Sequence, residues 1–326
     1  MRSFLFYIKI MIIGISTGDI NGIGIEVTLK AIQKIKWPDD VSFKIIGSEK
    51  IVKEQAEYLG INIPNKVTYA NVGEAIWLPG KLRSDASKLA FNAIEYGINS
   101  CLSNKIDALV TSPIAKSGFK KANINFPGHT EILGKMTNSP NFGMMLISGS
   151  LRVMLVTRHI PLLDVPKNIT HKKIKDAINL TITGLEWLGI SNGKIGVCGL
   201  NPHAGDEGAL GKEEIEIINP LIKSYKNKNI SGTFSADTIF YDAKNGKYDC
   251  VIAMYHDQGL GPLKTVGFDE GVNLTLGLPI IRSSPDHGTA FNLAAKNEAS
   301  PLSMMNAINM AVELVRKKNP WKNQKI

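Results

Sequence analysis

Residues 250–264 of the chain read Cys-Val-Ile-Ala-Met-Tyr-His-Asp-Gln-Gly-Leu-Gly-Pro-Leu-Lys. The first five residues form an apolar run with the length and composition of a strand that is buried on both faces of a parallel sheet. A histidine, an acid and a lysine therefore follow directly after a predicted strand end. In open α/β sheets, ligands bind outside the carboxyl ends of the strands, so this stretch predicts both the fold class and the place of the chemistry.

Two more histidines have the same placement. His159 follows the apolar run 151–157, and His203 follows the run 195–200, in a chain with only six histidines. Three neutral imidazoles at strand ends suit a divalent metal that keeps one coordination position open, as catalytic zinc does. Together with His256, these residues predict a metal site.

Strands and helices alternate from Met11 onward, which is typical of a parallel sheet covered by helices on both faces. Predicted strands at 12–16 and 43–47 are each followed by a predicted helix. Two later strands, 143–147 and 151–157, are too close together for a helix between them. This hairpin-like pair predicts a change of architecture and a second domain.

The composition is that of a globular protein and argues against nucleic-acid-binding and membrane proteins. The chain has 326 residues with a net charge of +9, and 44% of its residues are hydrophobic, as in an ordinary globular protein. The lysines are scattered and no nucleic-acid-binding module is present, so the charge indicates a surface that favours anionic substrates. No run approaches the ~18 apolar residues of a membrane span, which predicts no membrane partner.

The three cysteines predict buried, reduced thiols rather than a disulfide framework, and hence a cytoplasmic protein. Residues 1–10 are apolar enough to suggest a signal peptide. Lys9 interrupts the apolar run, however, and no cleavage site of small residues follows. Because Met11 begins a clean strand, residues 1–10 are predicted to be an N-terminal extension.

Four further groups are candidates for binding. The glycines of residues 18–26 join the first strand to the first helix, where they form either an anion contact or simply a tight turn. His129 and Thr130 are either ligand contacts or a structural hydrogen-bonding pair. The third group consists of Lys264, Asn273 and Arg282. Cationic and amide side chains suit a phosphate or carboxylate, but the charged members could instead form only surface ion pairs. The fourth group is a polar loop after a strand, residues 284–290.

Several of these stretches, in this order, resemble the 4-hydroxythreonine-4-phosphate dehydrogenase family of vitamin B6 biosynthesis. The likeness covers residues 11–316. It rests on the stretches Gly18-Asp19-x-x-Gly22-Ile23-Gly24-x-Glu26, Gly128-His129-Thr130-Glu131, Asn201-Pro202-His203-Ala204-Gly205, Tyr255-His256-Asp257-Gln258-Gly259-Leu260 and Asp286-His287-Gly288-Thr289-Ala290.

The resemblance implies a role for each group. The metal ligands would be His159, His203 and His256, binding one Zn, Mg or Co ion per site. The substrate would be bound by His129, Thr130, Lys264, Asn273 and Arg282. The cofactor, NAD or NADP, would lie on Asp286, His287, Gly288, Thr289 and Ala290. Asp257 and Lys264 are the candidate catalytic groups.

The resemblance also implies the architecture. It is a two-domain α/β fold of the isocitrate/isopropylmalate dehydrogenase type, with three α/β/α layers and the active-site cleft between the domains. The first domain is expected at 11–135 and 258–326, and the second at 136–257 with a share in a dimer interface. The homodimer is expected to share its active site, for instance with His159 and His203 from one chain and His256 from the other.

The implied reaction is the oxidation of 4-phosphooxy-L-threonine by NAD(P)+, followed by loss of CO2. A sister dehydrogenase of another phosphorylated hydroxy acid, such as 4-phospho-erythronate, stays open because the same residues would serve it. A phosphate acyltransferase of the same fold group is more distant, since that chemistry does not need three metal-binding histidines.

Overall fold

The computed structural model describes residues 10–226 and 229–317 of the chain, so residues 1–9 of the expected N-terminal extension lie outside the described part. The described residues divide into two compact units. One unit consists of residues 10–138 and 279–317, and the other of residues 139–278. The α/β class predicted from the sequence is confirmed.

The helices and strands follow in chain order. The first segment contains β1 (Met11–Ser16), α1 (Gly24–Lys34), β2 (Val41–Gly47), α2 (Glu49–Leu59), β3 (Val67–Asn71), α3 (Ser84–Leu102), β4 (Ala108–Thr111), α4 (Lys116–Lys121) and α5 (His129–Met136). The second unit contains β5 (Gly143–Ser148), β6 (Leu151–Leu155), α6 (Val165–Asn168), α7 (His171–Trp187), β7 (Ile195–Cys198), α8 (Asn219–Ser224), β8 (Ile230–Phe234), α9 (Ala236–Lys244), β9 (Cys250–Ala253), α10 (His256–Val266) and β10 (Val272–Leu276). The final segment contains β11 (Arg282–Pro285) and α11 (Leu302–Lys317).

The first unit is built on five parallel strands in the order β3-β2-β1-β4-β11. Strand β1 is apolar and central, and its residues Ile13 and Ile15 are fully buried. Helices α3 and α11 pack on this sheet. The strand order reverses between β1 and β4, the position at which ligands bind in folds of this kind.

The second unit contains six strands in the order β10-β5-β6-β9-β7-β8. Strands β5 and β6 form the predicted hairpin-like pair, and β5 also pairs with β10 in antiparallel fashion. Strands β6, β9, β7 and β8 run parallel to one another. The core of this unit is an apolar cluster to which α10 contributes Leu260 and Leu263.

The chain returns to the first unit at residue 279, which is later than the expected boundary at residue 258. Helix α10 belongs to the second unit because its apolar face packs on β5, β6 and β9. Strand β10 pairs with β5 and belongs there as well. The chain leaves this strand at Gly277, which has a φ of +82° and no room for a side chain: a Cβ atom would lie 2.2 Å from the carbonyl oxygen of Asn141.

Cys101, Cys198 and Cys250 are buried and free, as the sequence predicts. Among the helices of residues 10–226 and 229–317, none is both long enough and apolar enough to cross a membrane.

Candidate active site

The three candidate metal ligands follow three neighbouring strands. Strands β6, β9 and β7 are parallel, with Leu155 beside Ala253 and Val197 beside Ile252, so their carboxyl ends lie at one edge of the sheet. His159 follows β6, His256 follows β9, and His203 follows β7. The sequence prediction that each histidine comes after a strand end is confirmed.

His159 and His256 lie close together. Their ring centroids are 5.5 Å apart, a separation at which both rings can face one ion. The Nδ1 atom of His256 is 2.6 Å from a carboxylate oxygen of Asp257. This contact leaves Nε2 as the ring nitrogen available to a metal, an arrangement in which the carboxylate orients the ligand. The Asp257 side chain itself is exposed.

His203 does not complete a cage with this pair inside one chain. Within the described ranges, no three side chains of His, Cys, Asp or Glu converge in a way that could hold a metal ion. His203 opens a run of six residues with positive φ, residues 203–208. Left-handed backbone costs about 1–2 kcal/mol for each non-glycine residue, so this loop needs support from its surroundings.

Buried carboxylate oxygens supply that support. One oxygen of Glu214, a residue with 1% exposure, accepts hydrogen bonds from the backbone N–H groups of Leu200 and Asn201, both at 2.8 Å. Its other oxygen accepts from the Asn201 side chain at 3.0 Å, and Glu213 accepts from the same amide group at 2.8 Å. The loop that carries His203 is therefore fixed at its origin.

Two candidate substrate residues lie elsewhere in the same unit. Lys264 is half-buried on α10, and its ammonium group lies 5.5 Å from the centroid of the Phe268 ring. Asn273 lies on β10, and its side-chain oxygen is buried without a hydrogen-bond partner among the described residues. A buried polar atom of this kind is normally satisfied by a ligand, a water or an ion.

In the first unit, Arg282 is the largest fully buried side chain. Its guanidinium donates two hydrogen bonds to the hydroxyl of Thr111, from Nη2 at 2.6 Å and from Nε at 3.2 Å. Burial lowers the pKa of Arg282 to about 9, so the group remains a cation at neutral pH. The guanidinium is thus held in a fixed orientation inside the protein, which suits recognition of a phosphate or carboxylate.

His129 and Thr130 begin α5 and belong to the same unit as Arg282. Burial holds the pKa of His129 well below its usual range, and repulsion by Arg282 and Lys116 lowers it further. The imidazole is therefore neutral, and its Nε2 atom is buried without a hydrogen-bond partner in the part of the chain that is described. Two cations beside a neutral histidine form a cluster that would attract an anion.

The predicted cofactor loop, residues 286–290, packs against the first glycine-containing turn. The N–H group of Ile23 donates to the Thr289 carbonyl oxygen at 3.0 Å, and a Cβ atom on Gly22 would lie only 2.5 Å from that oxygen. Gly22 is needed because a side chain would separate the two loops. At the other end of the loop, the Asp286 N–H group donates to the hydroxyl of Ser303.

Asp19 lies in the same turn with 1% exposure. One of its carboxylate oxygens accepts from the N–H group of Asn21, and the other is buried without a partner among the described residues. Burial raises the pKa of Asp19 to about 6; the hydrogen bond from Asn21 opposes the rise, and the nearby charge of Asp85 adds to it.

Several site residues have no distinguishing signal in the sequence. Thr111 ends a strand 171 positions before Arg282 in the chain, and Glu214 follows a loop in an ordinary acidic run. Gln258 stands inside the quoted histidine stretch without a predicted role. The one available clue is position, because Thr111 and Gln258 both lie at the carboxyl ends of strands, where ligand-binding residues are expected.

The residues present fit the groups that the resemblance implies. For a divalent ion, the pair His159 and His256 offers nitrogen donors, and Asp257 fixes the tautomer of one of them. For a dinucleotide, the loop at 286–290 offers Gly288, which is exposed and has nothing within 4 Å of the position a Cβ atom would take. Glycine at such a point lets a ligand approach the backbone closely.

Comparisons with known proteins identify the family. Residues 23–311 match the family model described as pyridoxal phosphate biosynthetic protein PdxA. The chain is 39% identical to 4-hydroxythreonine-4-phosphate dehydrogenase of Vibrio vulnificus, covering 93% of this chain and 98% of that protein. It is 37% identical to D-threonate 4-phosphate dehydrogenase of Cupriavidus necator, covering 94% and 98%. A crystal structure of 4-hydroxythreonine-4-phosphate dehydrogenase from Klebsiella pneumoniae matches with a TM-score of 0.80 and 30% identity, over 94% of this chain and 99% of that one. The chain therefore belongs to the PdxA family, a family of dehydrogenases that act on phosphorylated substrates.

Proposed function

We propose that the protein oxidises the C3 hydroxyl of 4-phosphooxy-L-threonine with NAD(P)+ and a divalent metal ion. The product, 2-amino-3-oxo-4-phosphooxybutanoate, is a β-keto acid that loses CO2 to give 3-amino-2-oxopropyl phosphate. The observation that carries the proposal is the alignment of β6, β9 and β7, each followed by a histidine at one edge of the sheet. Family membership supports the same class of reaction.

His159, His203 and His256 would hold the ion. A divalent metal bound by neutral ligands keeps most of its charge, and it supplies electrostatic stabilisation to oxygen atoms that become negative during the reaction. The chain's own contribution is orientation. Asp257 accepts the Nδ1 hydrogen of His256 and so presents the opposite ring nitrogen. This contact supports a role for Asp257 in orienting the ligand, with proton acceptance as its second possible role.

Cationic and polar side chains would bind the anionic ends of the substrate. Arg282 offers a guanidinium already oriented by Thr111, and neutral His129 offers a ring nitrogen that has no protein partner among the described residues. Thr130, Lys264 and Asn273 complete the proposed set, in which Lys264 also serves as a candidate proton carrier. Fixed donors of this kind cost no reorganisation at the moment of reaction.

The cofactor would bind along residues 286–290. The contact between Ile23 and Thr289 fixes this loop against the turn that precedes α1. The N-terminus of a helix favours negative charge, so the turn at 18–23 suits the phosphates of a dinucleotide. The oxidised cofactor would supply the acceptor for the hydride on C3, and a protein group would take the hydroxyl proton.

A homodimer that shares its metal sites accounts for the position of His203. His159 and His256 meet within one chain, whereas His203 does not join them in a three-member group among the described residues. We propose that one chain supplies His159 and His256 and that the partner supplies His203. This division differs from the one anticipated from the sequence, which paired His159 with His203.

D-threonate 4-phosphate is the second candidate substrate. Relatives with this activity in their names are as similar to the chain as relatives named for 4-hydroxythreonine 4-phosphate. The two substrates share a carboxylate, a C3 hydroxyl and a phosphate, and they differ at C2. A third compound of the same class is 4-phospho-erythronate.

A substrate panel tests the proposal. The purified full-length chain is assayed by NADH and NADPH absorbance with the three phosphorylated acids and with L-threonine as the unphosphorylated control, and CO2 release provides a second signal. We expect reduction of the dinucleotide with 4-phosphooxy-L-threonine, accompanied by CO2, and no reaction with L-threonine. Turnover of D-threonate 4-phosphate alone would favour the second candidate. No turnover of any phosphorylated acid would overturn both.

A further inference from the structure

Gln258 has a buried side chain that joins two strand ends. It lies in the first turn of α10, two residues after His256, and is 9% exposed. Its carboxamide oxygen accepts the N–H group of Met254 at 2.7 Å, and its nitrogen donates to the carbonyl oxygen of Gly199 at 2.8 Å. One end of the amide is therefore attached to the exit of β9, and the other to the exit of β7.

The exit of β7 is held from its other side by Glu214. Gly199 gives its carbonyl oxygen to Gln258, and the next two residues give their N–H groups to the Glu214 carboxylate. The approach is close, because a Cβ atom on Gly199 would lie 2.7 Å from the Cα atom of Ala204 and 3.0 Å from Glu214. His203 thus follows a segment, residues 199–201, whose backbone groups are hydrogen-bonded to Gln258 on one side and to Glu214 on the other.

The exit of β6 is attached to the same network. The N–H group and the hydroxyl of Thr157 both donate to the Met254 carbonyl oxygen, at 3.1 and 2.7 Å. The carbonyl oxygen of Met254 therefore accepts from Thr157, and its N–H group donates to Gln258. A continuous series of bonds links Thr157, Met254, Gln258 and Gly199, and its members lie two to four positions from the three candidate metal ligands.

We propose that Gln258 is a positioning residue, whose carboxamide sets the spacing of the strand ends that carry His159, His256 and His203. The inference rests on the proposed metal site. An amide meets both requirements at neutral pH, since it accepts at one end and donates at the other. A glutamate would accept from Met254 but would place a second acceptor against the Gly199 carbonyl. In a dimer that shares His203, the same link holds the two metal sites of the dimer in a fixed relation.

The chain offers a matched control for loss of a buried amide. Gln55 lies on α2 in the other compact unit, is 3% exposed, and donates to the carbonyl oxygen of Ile20 at 2.9 Å. Gln55→Met removes the same chemical group from a similarly buried place, so it shows how much the loss of any buried carboxamide affects the folded protein. Because Gln55 is not connected to the strand ends of β6, β7 and β9, its loss should leave metal binding unchanged.

The test compares Gln258→Met, Gln258→Glu and Gln55→Met by Co2+ titration of the full-length protein, with no assay of turnover. The visible absorption of bound Co2+ reports both its affinity and its coordination geometry. Loss of a residue that orients metal ligands typically weakens metal binding by about 10- to 100-fold. We expect losses of that size, with an altered spectrum, for both Gln258 variants, and a wild-type titration for Gln55→Met.

Two comparisons distinguish a failure of the proposed metal site from a failure of the role proposed for Gln258. Wild-type protein that binds no Co2+, or His203→Ala that binds it as wild type does, would refute the proposed metal site and this inference with it. Wild-type affinity and spectrum in both Gln258 variants, with His203→Ala impaired, would refute the role of Gln258 alone. Gln258→Glu keeps the side-chain volume and the bond from Met254, so it remains informative if Gln258→Met does not fold by circular dichroism.

Discussion

Arg282 combines burial with a fixed orientation, and this predicts a large effect on catalysis. The charge-assisted contact that Arg282→Ala removes should be worth about 2–4 kcal/mol in the transition state. We therefore expect kcat/KM to fall by roughly 30- to 1,000-fold, measured as NADH formation at varied substrate. An unchanged kcat/KM would mean that Arg282 is purely structural.

Thr111→Val separates the charge of Arg282 from its orientation. The variant keeps the guanidinium but removes the hydroxyl that accepts two hydrogen bonds from it. A hydrogen bond that involves a charged group contributes about 1.5–3 kcal/mol. Because the variant keeps the charge itself, we expect the lower end of this range, a fall in kcat/KM of roughly 10-fold, which is less than for Arg282→Ala. A loss as large as that of Arg282→Ala would show that the hydroxyl has a role of its own.

Asp19 predicts a pH dependence of stability. Its pKa is raised from 3.8 to about 6, chiefly by burial, so the folded state binds the proton more tightly than the unfolded state does. The stabilisation is fully present below about pH 4 and is lost as the pH rises through 6. This difference between the folded and the unfolded pKa corresponds to about 3 kcal/mol of unfolding free energy.

Asp19→Asn removes this titration while keeping an oxygen that accepts the Asn21 N–H group. Relative to wild type, the variant should gain up to about 3 kcal/mol of unfolding free energy between pH 4 and pH 7.5, measured by urea unfolding at each pH. All groups other than residue 19 are the same in the two proteins, so their contributions cancel in the difference. A difference between the two proteins that does not change with pH would contradict the assignment.

At the residue scale, the charged side chains and the candidate metal ligands could be predicted from the sequence, but the residues that hydrogen-bond to them or to the neighbouring strand ends could not. His159, His203 and His256 follow apolar runs whose strand character is local, so their placement could be predicted. Thr111 and Gln258 act through partners that are distant in sequence, and no local pattern reports a contact across 59 or 171 positions.

At the element scale, the left-handed loop after β7 predicts a contrast between two glycines. Gly205 has a φ of +86°, and a Cβ atom there would lie 2.7 Å from a carboxylate oxygen of Glu214. Gly60, at the end of α2, has a φ of +66° with nothing within 4 Å. Gly60→Ala should cost about 1 kcal/mol, whereas Gly205→Ala should cost about 2 kcal/mol or more because it also displaces Glu214.

Chemical unfolding measures both variants, and Co2+ titration shows whether the loop matters for metal binding. Only Gly205→Ala should weaken Co2+ binding, because only that glycine belongs to the loop that carries His203. Equal unfolding free energies in the two variants, with equal Co2+ affinity, would show that the carboxylate moves aside without consequence.

Some elements were missed from the sequence for a physical reason. Strand β3 is an outer strand of the first unit and β8 is an outer strand of the second, and most of their residues are partly exposed. Edge strands have fewer buried positions, so their apolar signal is weak. Residues 272–282 read as one apolar run, but the structure divides this stretch into β10 and β11 at a turn that requires Gly277.

At the scale of the whole molecule, the return point of the chain shows how far a family resemblance extends. The resemblance implied that the chain leaves one domain and re-enters it, and the two compact units have this discontinuous form. The boundary differs by about twenty residues because the apolar side chains of α10 and β10 pack on strands of the second unit. Packing partners that are distant in sequence decide such boundaries.

Shared metal sites predict a specific pattern of complementation. If one chain supplies His159 and His256 and the partner supplies His203, a heterodimer of His159→Ala with His203→Ala has both lesions in one site and one intact site. Its activity should reach up to half of the wild-type value, while a heterodimer of His159→Ala with His256→Ala should be silent. Co-expression with two affinity tags isolates each heterodimer for assay.

The reverse pattern, with activity only in the His159→Ala and His256→Ala pair, would support the division in which His159 and His203 come from one chain. Silence of both heterodimers would place all three ligands in a single chain. Each outcome leaves the dehydrogenase reaction itself unaffected, since the complementation pattern reports only which chain supplies each ligand.

The central claim is that a divalent ion held by these histidines is needed for the oxidation. The most direct measurement is dinucleotide reduction with the phosphorylated substrate before exhaustive chelation, after it, and after a divalent ion is added back. We predict that chelation abolishes turnover, that Zn2+, Mg2+ or Co2+ restores it in the wild-type protein, and that none restores it in folded His203→Ala. Full turnover in the chelated wild-type protein would contradict the account.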